Sequence, residues 1–295
     1  MFEVFGIPSS ALFGQLLSGL ISGSLYALLS VGLAVIFGML NIINFAHGAQ
    51  YMMGAFAAFL LLDKLGVGYW PALVLVPVIV GAFGIVIERL LLKWLYKLDH
   101  LYGLLLTFGL ALVIEGVFRR YYGALGLPYR VPESLQGRQD LGFMFLPNYC
   151  AWVIAVSVVV CFGTWFAIER TRLGSYLRAA TENPTLVRAF GINVSRMITL
   201  AYGVGVALAA LAGVLAAPIY NVSPQMGSDL IIVVFAVLVI GGMGSILGAI
   251  LTGFGLGIVE GLTKVFLPEA SNTVIFVIMA IALLIRPTQL SRRGT

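Results

Sequence analysis

LAYGVGVALAALAGVLAAPI, residues 200–219, runs twenty residues without an ionised side chain. As a helix it rises about 30 Å, the thickness of a bilayer's hydrocarbon. Shorter runs without an ionised side chain lie at Val153–Ala167, Leu230–Ile240 and Val274–Ile285. The whole chain follows this pattern: 61% of its 295 residues are apolar and only 10% charged. A soluble domain carries about 25% charged residues to hydrate its surface. This chain is therefore solvated by lipid. Its segments are apolar on every face, which excludes an outer-membrane barrel, whose strands alternate over about 10 residues.

The spacing of charge breaks predicts an all-α integral membrane protein, a polytopic bundle of about eight or nine spans. They lie near 11–38, 48–62, 70–90, 101–118, 149–168, 197–219, 228–242, 244–263 and 272–286. Segments 48–62 and 228–242 are short, with Gly and polar residues at an end, and read as half-helices or parts of a broken span. The chain reads as one domain over 1–295. Met1–Ser10 carries Glu3 and no basic region, so no cleavable signal is expected.

Loop charge sets the orientation. Arg89, Lys93, Lys97, Arg170, Arg172, Arg178, Arg188, Arg196, Arg286, Arg292 and Arg293 fall on one side, 11 of the 17 basic residues. Lys64, Arg119, Arg120, Arg130, Arg138 and Lys264 fall on the other. The positive-inside rule places the 169–196 loop and the C-terminus in the cytoplasm and the 119–148 loop outside. The formal charge of +5 follows from this bias, and no nucleic-acid partner is expected.

Gly19 and Gly23, Gly244 and Gly248, and Gly253, Gly257 and Gly261 recur at four-residue spacing. Such stripes let helices approach closely. Cys150 and Cys161 lie about 16 Å apart on one helix, beyond disulfide reach. Two histidines, no HExxH and no GxSxG argue against a metal site or an enzyme. Glu115 pairs with Arg119 and Glu260 with Lys264 at helical i,i+4 spacing. Glu88 sits beside Arg89.

The polar island is ERTRLGSYLRAATENPTLVRAFGINVSRM, residues 169–197. Leu173, Tyr176, Leu177 and Ala180 fall at helical spacing. Pro184 ends that helix or starts the next, and Gly191 ends a second short helix. The island is built to dock on a protein or to rest on anionic lipid.

Three stretches resemble a known family. RAATENPTLVRAFGINV (178–194) looks like the coupling loop of ABC importer permeases, with a core reading Ala179-Ala180-Thr181-Glu182 that departs from the importer consensus. NIINFAHGAQYMMGAF (41–56) is similar to the NFAHG signature of branched-chain amino acid permeases. VLVIGGMGSILGAILTGFGLGIVEG (237–261) resembles their Gly-rich late segment, and the set favours the LivH type. The resemblance implies a bacterial inner-membrane, multi-pass permease that imports branched-chain or related amino acids. Urea, short amides, aromatic acids and an ATP-independent channel are the competing readings. It also implies a second homologous permease, two cytoplasmic ABC ATPases and a periplasmic substrate-binding protein as partners. ATP and Mg would sit on those ATPases, because this chain has no GxxxxGK[ST] loop and no bound cofactor is expected. Arg172, Gly174, Arg178, Ala180, Glu182 and Gly191 are the expected coupling residues.

Asn41, Asn44, His47, Gln50 and Tyr51 are the candidates for the substrate pathway, with Ser223 and Gln225 in the later counterpart, Asn221–Asp229. A broken helix starting near His47 or Gly48 aims its N–H groups at an anionic group. The competing reading has His47 and the two asparagines capping helices, since polar groups buried in lipid must be bonded. Asp229 is expected as the N-cap of the helix that follows.

Overall fold

The computed structural model describes residues 3–4, 7–40, 43–96, 98–142, 144–271 and 273–285. Asn41, Lys97, Arg286, Arg292 and Arg293 lie outside the described residues. A minimal hairpin, β1 (Glu3–Val4) with β2 (Ile7–Pro8), precedes α1 (Ser9–Leu40) and α2 (Ala46–Leu65). Then come α3 (Tyr69–Ile87), a π-helical turn Glu88–Leu92, and a last turn α4 (Lys93–Leu95). After α5 (His100–Tyr122), a second hairpin pairs β3 (Arg138–Asp140) with β4 (Phe145–Pro147). The rest is α6 (Asn148–Glu169), α7 (Arg172–Glu182), α8 (Pro184–Ala189), α9 (Val194–Ala216), α10 (Met226–Gly241), α11 (Ile246–Phe266) and α12 (Val274–Ile285).

The protein is a helical membrane bundle. Six helices are long and apolar enough to cross a membrane by length and composition: α1, α3 with its extension, α5, α6, α9 and α11. The expected segment 48–62 is longer than its apolar run. Asp63 and Lys64 stay helical and pair at 3.0 Å, and Gly66, with φ +65°, closes the helix by donating to Leu61 and Leu62 carbonyls. Helix starts are local chemistry. Asp99 caps α5, Asn183 caps α8 ahead of Pro184, Asn193 caps α9, and Ser245 caps α11.

α1 and α9 form the buried centre, while α5 and α6 are mostly exposed. Glycine permits the closest approaches. A Cβ on Gly23 would meet the Gly253 carbonyl at 3.0 Å, and Gly19, Gly257 and Gly261 leave no room for one either. For Gly19, Gly23, Gly253, Gly257 and Gly261 the four-residue pattern is thus helix packing between α1 and α11, whereas Gly244 takes φ +86° before α11 and Gly248 packs on Gly241 of α10. The helices pack in a two-fold pattern: exchanging α1, α2 and α3 for α9, α10 and α11 maps each contact onto another. α1 on α11 becomes α9 on α3; α2 on α9 becomes α10 on α1; α2 on α3 becomes α10 on α11. The starts of α2 and α10 meet reciprocally at Gly48 and Gly227, neither of which leaves room for a Cβ.

Two boundary acids keep their expected partners: Glu115 bonds Arg119 at 3.0 Å and Glu260 bonds Lys264 at 2.5 Å. Tyr26 on α1 also donates to Glu260, at 2.8 Å. Glu88 differs from expectation. It is buried inside the π-turn, where Tyr96 donates at 2.5 Å and Thr199 of α9 at 2.7 Å. Arg89, one residue on, points about 100° away around the helix. The Tyr96 phenol is pushed up by burial first and by Glu88 second.

Candidate functional site

Two places concentrate polar groups: the paired short helices α7 and α8 at one end of the bundle, and the start of α2 in its interior.

α7 has a strict inner face. Gly174, Leu177 and Ala180 are buried, and Ala180 packs with Val187 of α8 and Val194 of α9. Gly174 sits against the Ile168 carbonyl with no space for a side chain. Arg178 donates to that same carbonyl at 3.1 Å and pairs with Glu169 at 3.4 Å. It therefore ties α7 to the end of α6. Gly191 takes φ +80° and turns the chain from α8 into α9. Arg172 and Glu182 are exposed. The apolar stripe read from spacing divides: Leu177 and Ala180 face inward, while Leu173 (59% exposed) and Tyr176 (47%) face out. Leu186 and Phe190 of the α8 segment are exposed as well. The same segment exposes Arg172, Arg188 and Arg196.

The interior site begins where α1 stops. Gly205 lies eleven residues from either end of α9, so it marks that helix's middle. A Cβ there would meet the Gly32 carbonyl at 2.7 Å, and one on Gly32 would meet the His47 ring at 3.1 Å. The first turn of α2 is thus held at mid-bundle depth. Thr107 of α5 supports the irregular link, accepting from the Phe45 N–H and donating to the Ile43 carbonyl, both at 3.2 Å.

Asn44, His47, Gln50 and Tyr51 are all buried. Asn44 and Gln50 donate their amide N–H groups to the Tyr202 hydroxyl of α9, at 3.2 and 3.0 Å. His47 Nε2 lies 3.0 Å from the Leu29 carbonyl. Asn44 Oδ1, His47 Nδ1 and Gln50 Oε1 have no partner. Groups so placed are held by water or a ligand in nearly all proteins. Tyr202 was not legible as their hub, because in sequence it is one more aromatic within an apolar run.

Ser223 and Gln225 are partly buried and stand apart from this cluster. Gln225 is the residue before α10, so Asp229 is not an N-cap: α10 starts at Met226 and Asp229 lies in its first turn. The local reason is backbone pairing, since the Met226 N–H already bonds the Ser223 carbonyl and the Asp229 N–H the Gln225 carbonyl. The starts of α2 and α10 meet: a Cβ on Gly48 would touch the Gly227 carbonyl at 2.5 Å.

Residues 15–283 match the family model described as branched-chain amino acid transport system / permease component. The chain is 32% identical to the high-affinity branched-chain amino acid transport system permease protein BraD of Pseudomonas aeruginosa. That match covers 93% of this chain and 94% of BraD. It is 30% identical to LivH of Escherichia coli K12, over 93% of each. A probable LivH of Methanocaldococcus jannaschii is 30% identical over 91% of this chain and 89% of its own length. No solved structure matches.

Proposed function

Since the chain belongs to the branched-chain amino acid transport permease family, of which LivH and BraD are members, we propose that it imports branched-chain amino acids into the cytoplasm. In this reading it is one of two permeases driven by two cytoplasmic ATPases and supplied by an external binding protein. ATP and Mg belong to the ATPases, and this chain contributes no catalytic group. It is a multi-pass inner-membrane transport protein. The 169–196 segment and the C-terminus face the cytoplasm, and the β3–β4 hairpin faces outside.

The observation that carries the ATP coupling is the outer face of α7 and α8. Leu173, Tyr176, Leu186 and Phe190 are large, apolar and exposed. Arg178 and Gly174 meanwhile bind α7 to the end of α6, so a push on the outer face is passed on to α6 and, through α8, to α9. That is a two-state element biased by a ligand bound elsewhere. Substrate passes the starts of α2 and α10, with Asn44, His47, Gln50 and Tyr51 at the first and Ser223 and Gln225 just before the second. Partially positive helix N-termini there suit the substrate carboxylate. Uptake of radiolabelled leucine in cells lacking the ATPases tests the reading. Loss of uptake is expected; undiminished uptake overturns ATP coupling.

A further inference from the structure

Asp229 and Ser228 are exposed side by side on the first turn of α10. The Asp229 carboxyl has no hydrogen bond or ion pair among the described residues, while Ser228 bonds only the Gln225 carbonyl of its own turn, at 2.9 Å.

Their depth makes this unusual. Gly227 touches Gly48, and α2 continues 17 residues beyond Gly48, about 25 Å of helix toward one end of the bundle. From Asp229, α10 continues 12 residues, about 18 Å, the other way. Measured along these helices, the carboxyl group lies between the two ends of the bundle, at a level where a lipid-facing side chain would meet hydrocarbon. A lipid-facing aspartate at that depth is strongly disfavoured, and such residues face water-filled cavities or partners. Beside it lies a second feature: a cavity of about 60 Å³ lined by Gly48 and Met52 of α2, Phe108, Leu112 and Glu115 of α5, and Ser228. Glu115 turns its other side to Arg119.

We propose that the α5–α10 face bearing Asp229 lines the water-filled passage itself, and that Asp229 receives the ammonium group of a passing amino acid. This deepens the transport reading above and rests on it. A zwitterion needs both signs of charge. The abutting starts of α2 and α10 carry the partial positive charge for its carboxylate, and Asp229 supplies the negative charge one turn deeper. Phe108, Leu112 and Met52 leave the solute's side chain an apolar wall.

The test is thiol labelling in native membranes of the assembled transporter, after replacing Cys150 and Cys161 by alanine. Ser228→Cys and Asp229→Cys are compared with Val113→Cys and Val117→Cys, which lie on the opposite flank of α5 and are also exposed. A hydrophilic maleimide reacts with thiolate, which needs water. Positions 228 and 229 are expected to label at least about tenfold faster than 113 and 117, and L-leucine is expected to slow them. Equal rates at all four overturn the aqueous face, and Ser228→Cys decides alone should the Asp229 variant fail to assemble. Asp229→Asn is expected to cut leucine uptake about tenfold, the worth of roughly one partly solvated charge pair, with Asp229→Glu largely restoring it. Wild-type uptake by Asp229→Asn overturns the ammonium assignment. The readings separate cleanly. Slow labelling in an importer that still takes up leucine sinks the face alone, whereas fast labelling in an assembly that imports no amino acid sinks the transport reading.

Discussion

Removing one oxygen atom from the centre of the bundle tests whether the Tyr202 cluster is a structural tie. Tyr202→Phe keeps the ring and leaves no cavity, so packing is unchanged. What goes is the acceptor for two amide groups, Asn44 at 3.2 Å and Gln50 at 3.0 Å, both buried. Between membrane helices one side-chain hydrogen bond is worth about 0.6 kcal/mol on average and about 1.7 at most. Two lost together amount to about 1–3 kcal/mol. Stranding a donor is costlier than removing both partners, so adding Gln50→Leu and Asn44→Leu to Tyr202→Phe should recover part of the loss. The assay is reversible unfolding of the purified assembly in mixed micelles, with the four variants run as a cycle. A Tyr202→Phe change below about 0.3 kcal/mol, or triple-variant losses that simply add, refutes the tie.

Gly174→Val should displace α7 from the Ile168 carbonyl, leaving membrane insertion intact while ATP-driven uptake falls more than about tenfold; vesicle uptake checks this. Phe190→Asp with Tyr176→Asp alters only the exposed face of the α7–α8 pair, and is expected to release ATPase subunits on co-purification without lowering the permease's own yield. Gly48→Leu places a branched side chain where even a Cβ meets the Gly227 carbonyl at 2.5 Å, and is expected to destabilise by about 1–3 kcal/mol or more, read as a lower melting temperature. Glu88→Leu removes the acceptor of both Tyr96 and Thr199, with an expected loss of about 1–3 kcal/mol in the same assay.

Apolar runs broken by charge located the helices, because a bilayer demands about twenty apolar residues whatever the tertiary context. The α7–α8 pair was legible too, from Pro184, Gly191 and the helical period. Polar side chains were harder. Arg178 looks in sequence like a surface cation, yet it closes the end of α6, because a loop of only two residues brings the two helices together. Glu88 reads as a boundary acid beside Arg89, but the π-turn rotates it inward to α9. Asn44, His47 and Gln50 stand out in sequence because polar residues are scarce in such a chain. Tyr202 was missed because an aromatic hydroxyl does not interrupt an apolar run. Asp229 was misassigned by two factors together: the four-residue turn before α10 satisfies its own N–H groups, and exposure at depth exists only in three dimensions.

α9 touches both the α7–α8 pair and the interior cluster, as α1 does through its contact with α7 and through Leu29. α9 begins at Val194, packed with Ala180 and Val187 of the α7–α8 pair. One turn on, Thr199 bonds Glu88, and Tyr202 then receives Asn44 and Gln50. Both ties therefore lie within three residues of each other, on the stretch nearest the α7–α8 pair. Beyond them, α9 meets its neighbours closely: the Ile85 side chain lies on Gly203, the Ile36 side chain and the Gly32 carbonyl on Gly205, and the Val206 side chain on Gly84. A push delivered at Val194 therefore reaches both ties before it reaches these close-packed surfaces. Spare acceptors at Asn44 and Gln50 leave that cluster free to exchange partners as it moves. Inserting one alanine between Thr199 and Tyr202 rotates the second tie about 100° from the first. ATP hydrolysis stimulated by a loaded binding protein should then survive while leucine uptake is lost. Uptake at the wild-type rate would show that α9 is not the connection.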